Sequence, residues 1–369
     1  MIYFDSAATT LQKPESVSKA AAAAIYTMTT PGRGDYPAAR KAADLMLRLR
    51  TEAAEFFGVP EPDNVILTQN ATHGLNIAIK SLVSPGDTVV ISGYEHNAVT
   101  RPLHAIGGVS VRIVNGRLFD PQHMAEGFRQ AVDSRVKAVV CTHVSNVFGY
   151  ALPIDEIAEI CRKQGVPLIV DAAQSAGILP VNLEAWNAAY VAMPGHKGLY
   201  GPQGTGLLLC GKNTEPHTLL EGGTGSLSRQ QEMPGILPDR LEAGTQNVHS
   251  AAGLLEGLRF VRRLGTERIA NREAHIMKRL ATGLRRKGRY HIFDNDGQEK
   301  TSVLSVVPLY ADPETVAGHL AEHLVAVRAG LHCAPLAHLT AGTSETGTLR
   351  FSASIFNAPS EVDEVLKLL

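Results

Sequence analysis

Apolar residues fall along this chain in two periods. Short continuous apolar runs at Val65–Thr68, Thr88–Ser92, Ser110–Val114, Lys137–His143, Leu168–Asp171, Ala189–Ala192 and Gly206–Cys210 predict strands buried on both faces. Stretches with helical spacing lie between them. Arg40 to Phe57 places Leu45, Leu49, Ala53 and Phe56 on one face. Ser16 to Met28 is an Ala-rich helix, while residues 1–15 lack helical periodicity and read as extended. Strand and helix in regular alternation predict a doubly wound α/β sheet.

The pattern changes in the last third. Glu221 to Pro238 is rich in Gly, Ser and Pro and predicts a long loop. Ser250 to Leu264 is helical, and Thr301–Pro308 reads as a strand. Asp312-Pro313 opens a helix, with Asp as N-cap and Pro in the first turn. The final helix starts at Ser360 and carries Val362, Val365, Leu366 and Leu369 at helical spacing. The expectation is a large domain over residues 16–250 and a smaller α+β domain over 251–369, with 1–15 packing on the latter.

Charge narrows the partners. The 369 residues carry a formal net charge of −1 and no long basic run, which argues against nucleic acid or an anionic membrane surface. No apolar run is long enough to span a bilayer. The start, MIYFDSAATT, lacks a basic region and an apolar core, so a cytoplasmic protein is expected. None of the four cysteines has metal-ligand spacing, and no metal site is expected. Cys161 shares a helix face with Ile154, Ile157 and Ala158, and Cys141 and Cys210 sit in apolar strands. Cys333 differs, lying in AGLHCAPLAH, a loop bounded by Gly and Pro.

Two stretches carry chemistry. In AMPGHKGLYGPQGTG, Ala192 to Gly206, Lys197 stands between two apolar strands among glycines and prolines. A lysine poor in solvent deprotonates more easily and can attack a carbonyl. Alone, the stretch is equally compatible with a loop lysine reaching water. In PLIVDAAQSAG, Asp171 ends a buried strand, where open parallel sheets bind ligands. It reads either as a helix N-cap or as the acid that a pyridine nitrogen needs. Pyridoxal 5′-phosphate requires both a lysine and such an acid.

Together these stretches resemble the fold-type I pyridoxal-phosphate enzymes, and within them the class V aminotransferase and cysteine desulfurase family. FDSAATT, ATHGLN, EHNA, THVSNVFG, DAAQSAG, GHKGLYGPQGTG, EAGTQN, VRAGLHC and LRFSASIFN occur in the family's order. The resemblance implies a seven-stranded, mostly parallel sheet with one antiparallel strand. It implies that Lys197 holds the cofactor, Asp171 pairs with its ring nitrogen, and Ala71 and Thr72 bind its phosphate. His96 would stack on the ring, Gln174 and Asn146 would reach its phenolic oxygen, and His196 would neighbour the phosphate. Thr245 would reach the phosphate of the partner subunit, which requires a homodimer. Arg350 and Asn146 would bind the substrate, its carboxylate at Arg350, with Arg328 nearby.

Departures fall around this frame. Pro194 stands where the family commonly has Ser or Thr, so one phosphate hydrogen bond is lost or replaced. Tyr36, in GRGDY, stands near the place of a desulfurase histidine, and GGTGSLS differs from the usual loop. The spacing in RAGLHC resembles the shorter-loop desulfurases, in which the cysteine takes sulfur from the substrate. Cations favour the attacking thiolate, and Arg328 and His332 are both near Cys333 in sequence. The resemblance implies a cysteine desulfurase of sulfur metabolism, forming alanine and a persulfide on Cys333 that an acceptor protein or thiol relieves. The alternatives are a selenocysteine lyase, another class V lyase or aminotransferase, or a binding protein of the same fold without catalysis.

Overall fold

The apolar runs pair into one sheet, and the helices between them cover both of its faces. The computed structural model describes residues 1–32, 34–212, 214–295 and 300–369. The PGRGDYP break and its GRGDY turn include residue 33, which lies outside the described residues. The chain opens with β1 (Ile2–Tyr3), α1 (Glu15–Thr27) and α2 (Pro37–Phe57). Then follow β2 (Val65–Thr68), α3 (Ala71–Leu82), β3 (Thr88–Ser92), α4 (Asn97–Ile106), β4 (Ser110–Val114) and α5 (Pro121–Ala131). Next come β5 (Ala138–Thr142), α6 (Ile154–Gln164), β6 (Leu168–Asp171), the short α7 (Leu183–Trp186), β7 (Tyr190–Pro194) and β8 (Gly206–Cys210).

The strand order is β2-β8-β7-β6-β5-β3-β4. β8 runs antiparallel to both neighbours, and the other pairings are parallel. The reason lies in the connections. Parallel neighbours need a crossover, whereas antiparallel strands can be joined directly. No crossover helix separates β7 from β8, and the link between them holds Lys197. Alternation along the strands divides the core. Leu207 and Leu209 face the side covered by α2, α5, α6 and residues 248–258, whereas Leu208 and Cys210 face α3 and α4.

The chain continues as α8 (Val248–Leu264), α9 (Thr266–Lys287), β9 (Tyr290–Phe293), β10 (Val303–Pro308), α10 (Pro313–Glu322), β11 (Val325–Ala326) and β12 (Arg328–Gly330). It ends with α11 (Pro335–Ala341), β13 (Thr348–Ser352) and α12 (Pro359–Leu368). A second, antiparallel sheet has the order β12-β13-β10-β9. Ile276, Leu280, Leu304, Val306, Phe351, Val362 and Val365 form its core, and Phe4 joins them from the other end of the chain. β1 pairs in parallel with β11 as a separate two-stranded sheet, and Asp5 bridges Ser352 of β13, so the first residues are stitched to this sheet. α8 packs instead on α1 and α2.

The predicted elements are present with ends moved by a few residues. Thr301 lies outside β10, and α2 starts at Pro37. Asp312 precedes α10 as expected, but its side chain makes no capping hydrogen bond, so Pro313 alone marks that start. β11 and β12 are too short for a periodicity to reveal, and β9, only partly buried, lacks a continuous apolar run. Among the described residues no helix is long and apolar enough to cross a membrane.

Burial ranks the strands energetically. Leu208→Ala, at a fully buried position, is expected to cost about 2–5 kcal/mol. Val111→Ala on the edge strand β4, 38% exposed, should cost less than about 1 kcal/mol. Urea unfolding of both variants checks the ranking, and equal losses would contradict it.

Candidate active site

Five connections converge at the carboxyl ends of the parallel strands, where such sheets bind ligands. β6 ends on Asp171, β7 runs into the loop of His196 and Lys197, and β5 is followed by Asn146. β3 is followed by His96, and β2 by the first turn of α3, Ala71 and Thr72. With Gln174 and Asn70, these residues line one pocket of about 500 Å³ counting its open mouth. Thus Ala71, Thr72, His96, Asn146, Asp171, Gln174, His196 and Lys197, dispersed over 127 positions, come together. Pro194 lines the same pocket and offers neither hydroxyl nor amide hydrogen.

Two glycines set the lysine beside the acid. Gly177 has φ +88°, and a Cβ on it would lie 2.2 Å from the Gly198 carbonyl oxygen. A Cβ on Gly198 would lie 2.3 Å from the Ala176 oxygen. The DAAQSAG and GHKG loops therefore pass backbone against backbone, which side chains would forbid.

Asp171 is buried, and Oδ1 accepts from the Ala173 amide at 2.9 Å. No helix begins there, so the bond closes a local turn rather than capping a helix. Desolvation raises its pKa, opposed by the Ala173 bond and by the charge of Lys197. Lys197 is partly buried in the pocket. Desolvation pushes its amine down to about 8 against the pull of Asp171, with Arg350 and Arg328 adding to the fall. An amine so poised can act as a nucleophile or move a proton near neutral pH.

The other pocket side chains are fixed by their neighbours. His96 caps α4, its Nδ1 accepting from the Ala98 amide at 3.0 Å. Burial, with the charge of Lys197, lowers its pKa to about 4, so the ring is neutral. His196 falls to about 4 through desolvation and Lys197, and its Nδ1 lies 3.0 Å from Thr9 Oγ1. Gln174 Nε2 donates to the Ala7 carbonyl at 2.9 Å. At the first turn of α3, Asn70 caps the His73 amide. The amides of Ala71 and Thr72 have no partner within the helix and suit an anion.

Four further candidates stand outside the pocket lining. Arg350 is 1% exposed; Nη2 bonds Asp5 Oδ1 at 2.8 Å and Nη1 donates to the Asn146 carbonyl at 2.9 Å. It lies inside β13, opposite Arg328 of β12. Arg328 Nη2 is 3.6 Å from the exposed Cys333 Sγ. Thr245 is exposed on an adjoining cleft that it shares with Asn70, His73 and His196. Cys141, Cys161 and Cys210 are buried, as expected.

One expectation is overturned. His332 does not supply a cation to Cys333: it is 3% exposed, and desolvation, aided by Arg350, pushes its pKa down to about 2. Sequence reasoning also missed residues. Asp5 is the counter-ion of Arg350 across 345 positions, a pairing without local signal. Glu95 is fully buried next to His96, with Oε1 accepting from the Thr142 amide at 2.8 Å. Burial raises its pKa to about 8. A carboxylate closely following an apolar strand was the available sign.

The amine of Lys197 binds its proton less tightly folded than unfolded. It therefore subtracts stability below pH 8, and the loss fades as pH rises from about 8 towards 10.5. Lys197→Met is thus expected to exceed the parent in stability at pH 7, without cofactor, and to converge with it by pH 10.5. Unfolding curves over that range check this; a gap that widens with pH would contradict it.

Relatives share this arrangement of elements. The family model for Aminotransferase class-V matches residues 2–365. A probable cysteine desulfurase of Methanothermobacter thermautotrophicus is 32% identical over 98% of this chain and 92% of its own length. A protein of that name from Mycolicibacterium paratuberculosis is 33% identical over all of this chain, which spans 54% of that relative. The apo structure of a cysteine desulfurase from Thermococcus onnurineus matches with a TM-score of 0.89 at 28% identity, covering 99% of this chain and 93% of the other. The likeness bears out the fold-type I architecture expected from the sequence. On the match that runs through nearly every described element, this chain belongs to the class V aminotransferase family.

Proposed function

We propose that this protein is a pyridoxal-phosphate-dependent cysteine desulfurase that converts L-cysteine to L-alanine and carries the sulfur on Cys333. The observation that carries the reading is the enclosed amine of Lys197 beside the buried carboxyl of Asp171, with exposed Cys333 held against Arg328 nearby. The names of the relatives point the same way. The donor set fits the cofactor: an amine for its carbonyl carbon, an acid for its ring nitrogen and a helix N-terminus for its phosphate. Once bound, the cofactor supplies an electron sink for charge developing on the substrate.

The chain supplies the rest. Lys197 would hold the cofactor, and its amine, poised near neutral pH, would move protons at the substrate carbons. Asp171 keeps the ring nitrogen protonated. Ala71 and Thr72 bind the phosphate, with His196 alongside, and Thr245 of a second copy completes the site in a homodimer. His96, neutral, would lie against the ring face, and Gln174 and Asn146 would reach the phenolic oxygen. Arg350, with Asn146 and Arg328 near it, binds the substrate carboxylate. The Cys333 thiolate attacks the substrate sulfur: an S–S bond forms and the C–S bond breaks. Its electron pair passes to carbon, which takes a proton. A protein or small thiol then removes the outer sulfur. Four free cysteines and this need for a reduced thiol suit a reducing compartment such as the cytoplasm. Residues 16–250 are proposed as the cofactor-binding domain and 251–369 as the small domain, on which residues 1–15 pack.

Holoenzyme should release alanine and sulfide in equal amounts from cysteine with a reductant present, and borohydride should fix the cofactor on Lys197. Cys333→Ser should keep the cofactor and its spectral response to cysteine, yet lose sulfide release by about 10²-fold or more. Cys161→Ser should leave turnover unchanged. Full sulfide release by Cys333→Ser would move the reading to another carbon–sulfur lyase, and selenocysteine assayed in parallel separates a lyase for that substrate. Thr245→Ala should weaken cofactor binding by about 1 kcal/mol or more in a dimeric protein. A fully active monomer in ultracentrifugation would overturn the shared site.

A further inference from the structure

Cys333 sits in an unusual backbone. His332 and Cys333 have φ of +50° and +57°, and the Ala334 amide donates to the Leu331 carbonyl at 2.9 Å. Two left-handed central residues closed by such a bond form a type I′ turn, which favours Asn-Gly. Here His and Cys occupy those places, and a side chain in that conformation meets its own backbone. Such a turn persists only where its surroundings hold it.

The surroundings are specific. His332 Nε2 lies 3.1 Å from the Thr348 carbonyl and 3.0 Å from Thr348 Oγ1. A carbonyl only accepts, so Nε2 carries the ring proton. Nδ1 is then bare, and it is buried without a partner among the described residues. Thr348 Oγ1 lies 3.1 Å from Ser305 Oγ, whose hydroxyl donates to the Val147 carbonyl at 2.6 Å. The backbone of the turn is fastened to the pocket wall as well. The His332 carbonyl accepts from Asn146 Nδ2 at 2.8 Å, and the Cys333 carbonyl from the Asn97 amide at 2.8 Å. Asn146 lines the pocket, and Asn97 follows His96, which also does.

We propose that His332 is a positioning residue: its buried ring, fastened to Thr348, holds the left-handed His332-Cys333 turn that presents the thiol beside the pocket. The inference rests on the reading of Cys333 as the sulfur carrier. The ring acts by place and not by charge, because a proton on Nδ1 would be desolvated and would face the charge of Arg350, the neighbouring His338 ring and Arg328. It explains why the residue before an exposed nucleophile is itself almost fully buried.

The test compares holoenzyme of the parent, His332→Ala, His332→Asn and Cys333→Ser. It measures the cofactor's spectral response to cysteine, sulfide release against pH, and hydrogen exchange over residues 331–340. His332→Ala should keep the spectral response with an unchanged midpoint. Its sulfide release should fall by roughly 10²-fold, the scale of a misplaced reacting group, evenly across pH, while the Ala334 amide loses protection. Asparagine tolerates left-handed backbone and can donate to the Thr348 carbonyl, so His332→Asn should recover most of the rate and the protection. Parental sulfide release by His332→Ala overturns the proposal, as does loss of one pH limb instead of a uniform fall, which would mark a charged role. If His332→Ala fails to fold, His332→Asn decides: a low rate with the turn still protected overturns it. Sulfide release by Cys333→Ser would instead defeat the carrier reading, while exchange still reports whether His332 holds the turn.

Discussion

An amine surrounded by protein gives up solvation that a surface lysine keeps, and one carboxyl is too little to restore it. Lys197 is held in that condition by the contact of two loops. Gly177 and Gly198 let the backbone after β6 touch the backbone after β7. Asp171 ends β6 and Lys197 follows β7, so the main-chain positions of the two residues are fixed by that contact. The sheet beneath supplies rigidity: β6 and β7 are central, parallel and buried along their whole length. Chemistry that needs a partly deprotonated amine and a proton-holding acid in register follows from that one close approach.

The opposite wall is organised by charge. Arg328 and Arg350 face each other directly across β12 and β13, an arrangement that repels. Asp5 offsets the charge of Arg350, and Arg328 reaches the Cys333 sulfur. The cations that lower the amine of Lys197 would, in the proposed function, also attract the anions of the reaction, a substrate carboxylate and a thiolate. Full burial of Arg350 means that its geometry is set before any ligand arrives, which is the condition for effective electrostatic help.

How much of this was written locally varies by residue. The strands were legible because runs such as Leu168–Asp171 and Gly206–Cys210 are buried on both faces and therefore almost wholly apolar. The pocket residues were legible through short motifs that each end a strand. Pairings across long separations were not: nothing near Asp5 announces Arg350, and nothing near His332 announces Thr348. His332 looked like a cation for Cys333 because sequence records neighbours but not solvent. Once the ring is enclosed beside two arginines, protonation is unfavourable and the same residue becomes an anchor. Thr245 shows the remaining gap, since the role proposed for it, on a second copy, leaves no mark within its own chain.

The segment from Ile2 to Lys13 spans both sheets. Phe4 fills the smaller core, Asp5 meets Arg350, Ala7 bonds Ser352 and Gln174, and Thr9, Thr10 and Lys13 hold the His196 loop. A ribosome makes Ala7 345 residues before Ser352. At 5–20 residues per second that interval is roughly 20–70 s. The large sheet can be complete while this strap is still without its partner strand. Assembly of the site therefore waits for β13, and a chain synthesised only as far as the large sheet carries Lys197 without the clasp that joins its loop to β13.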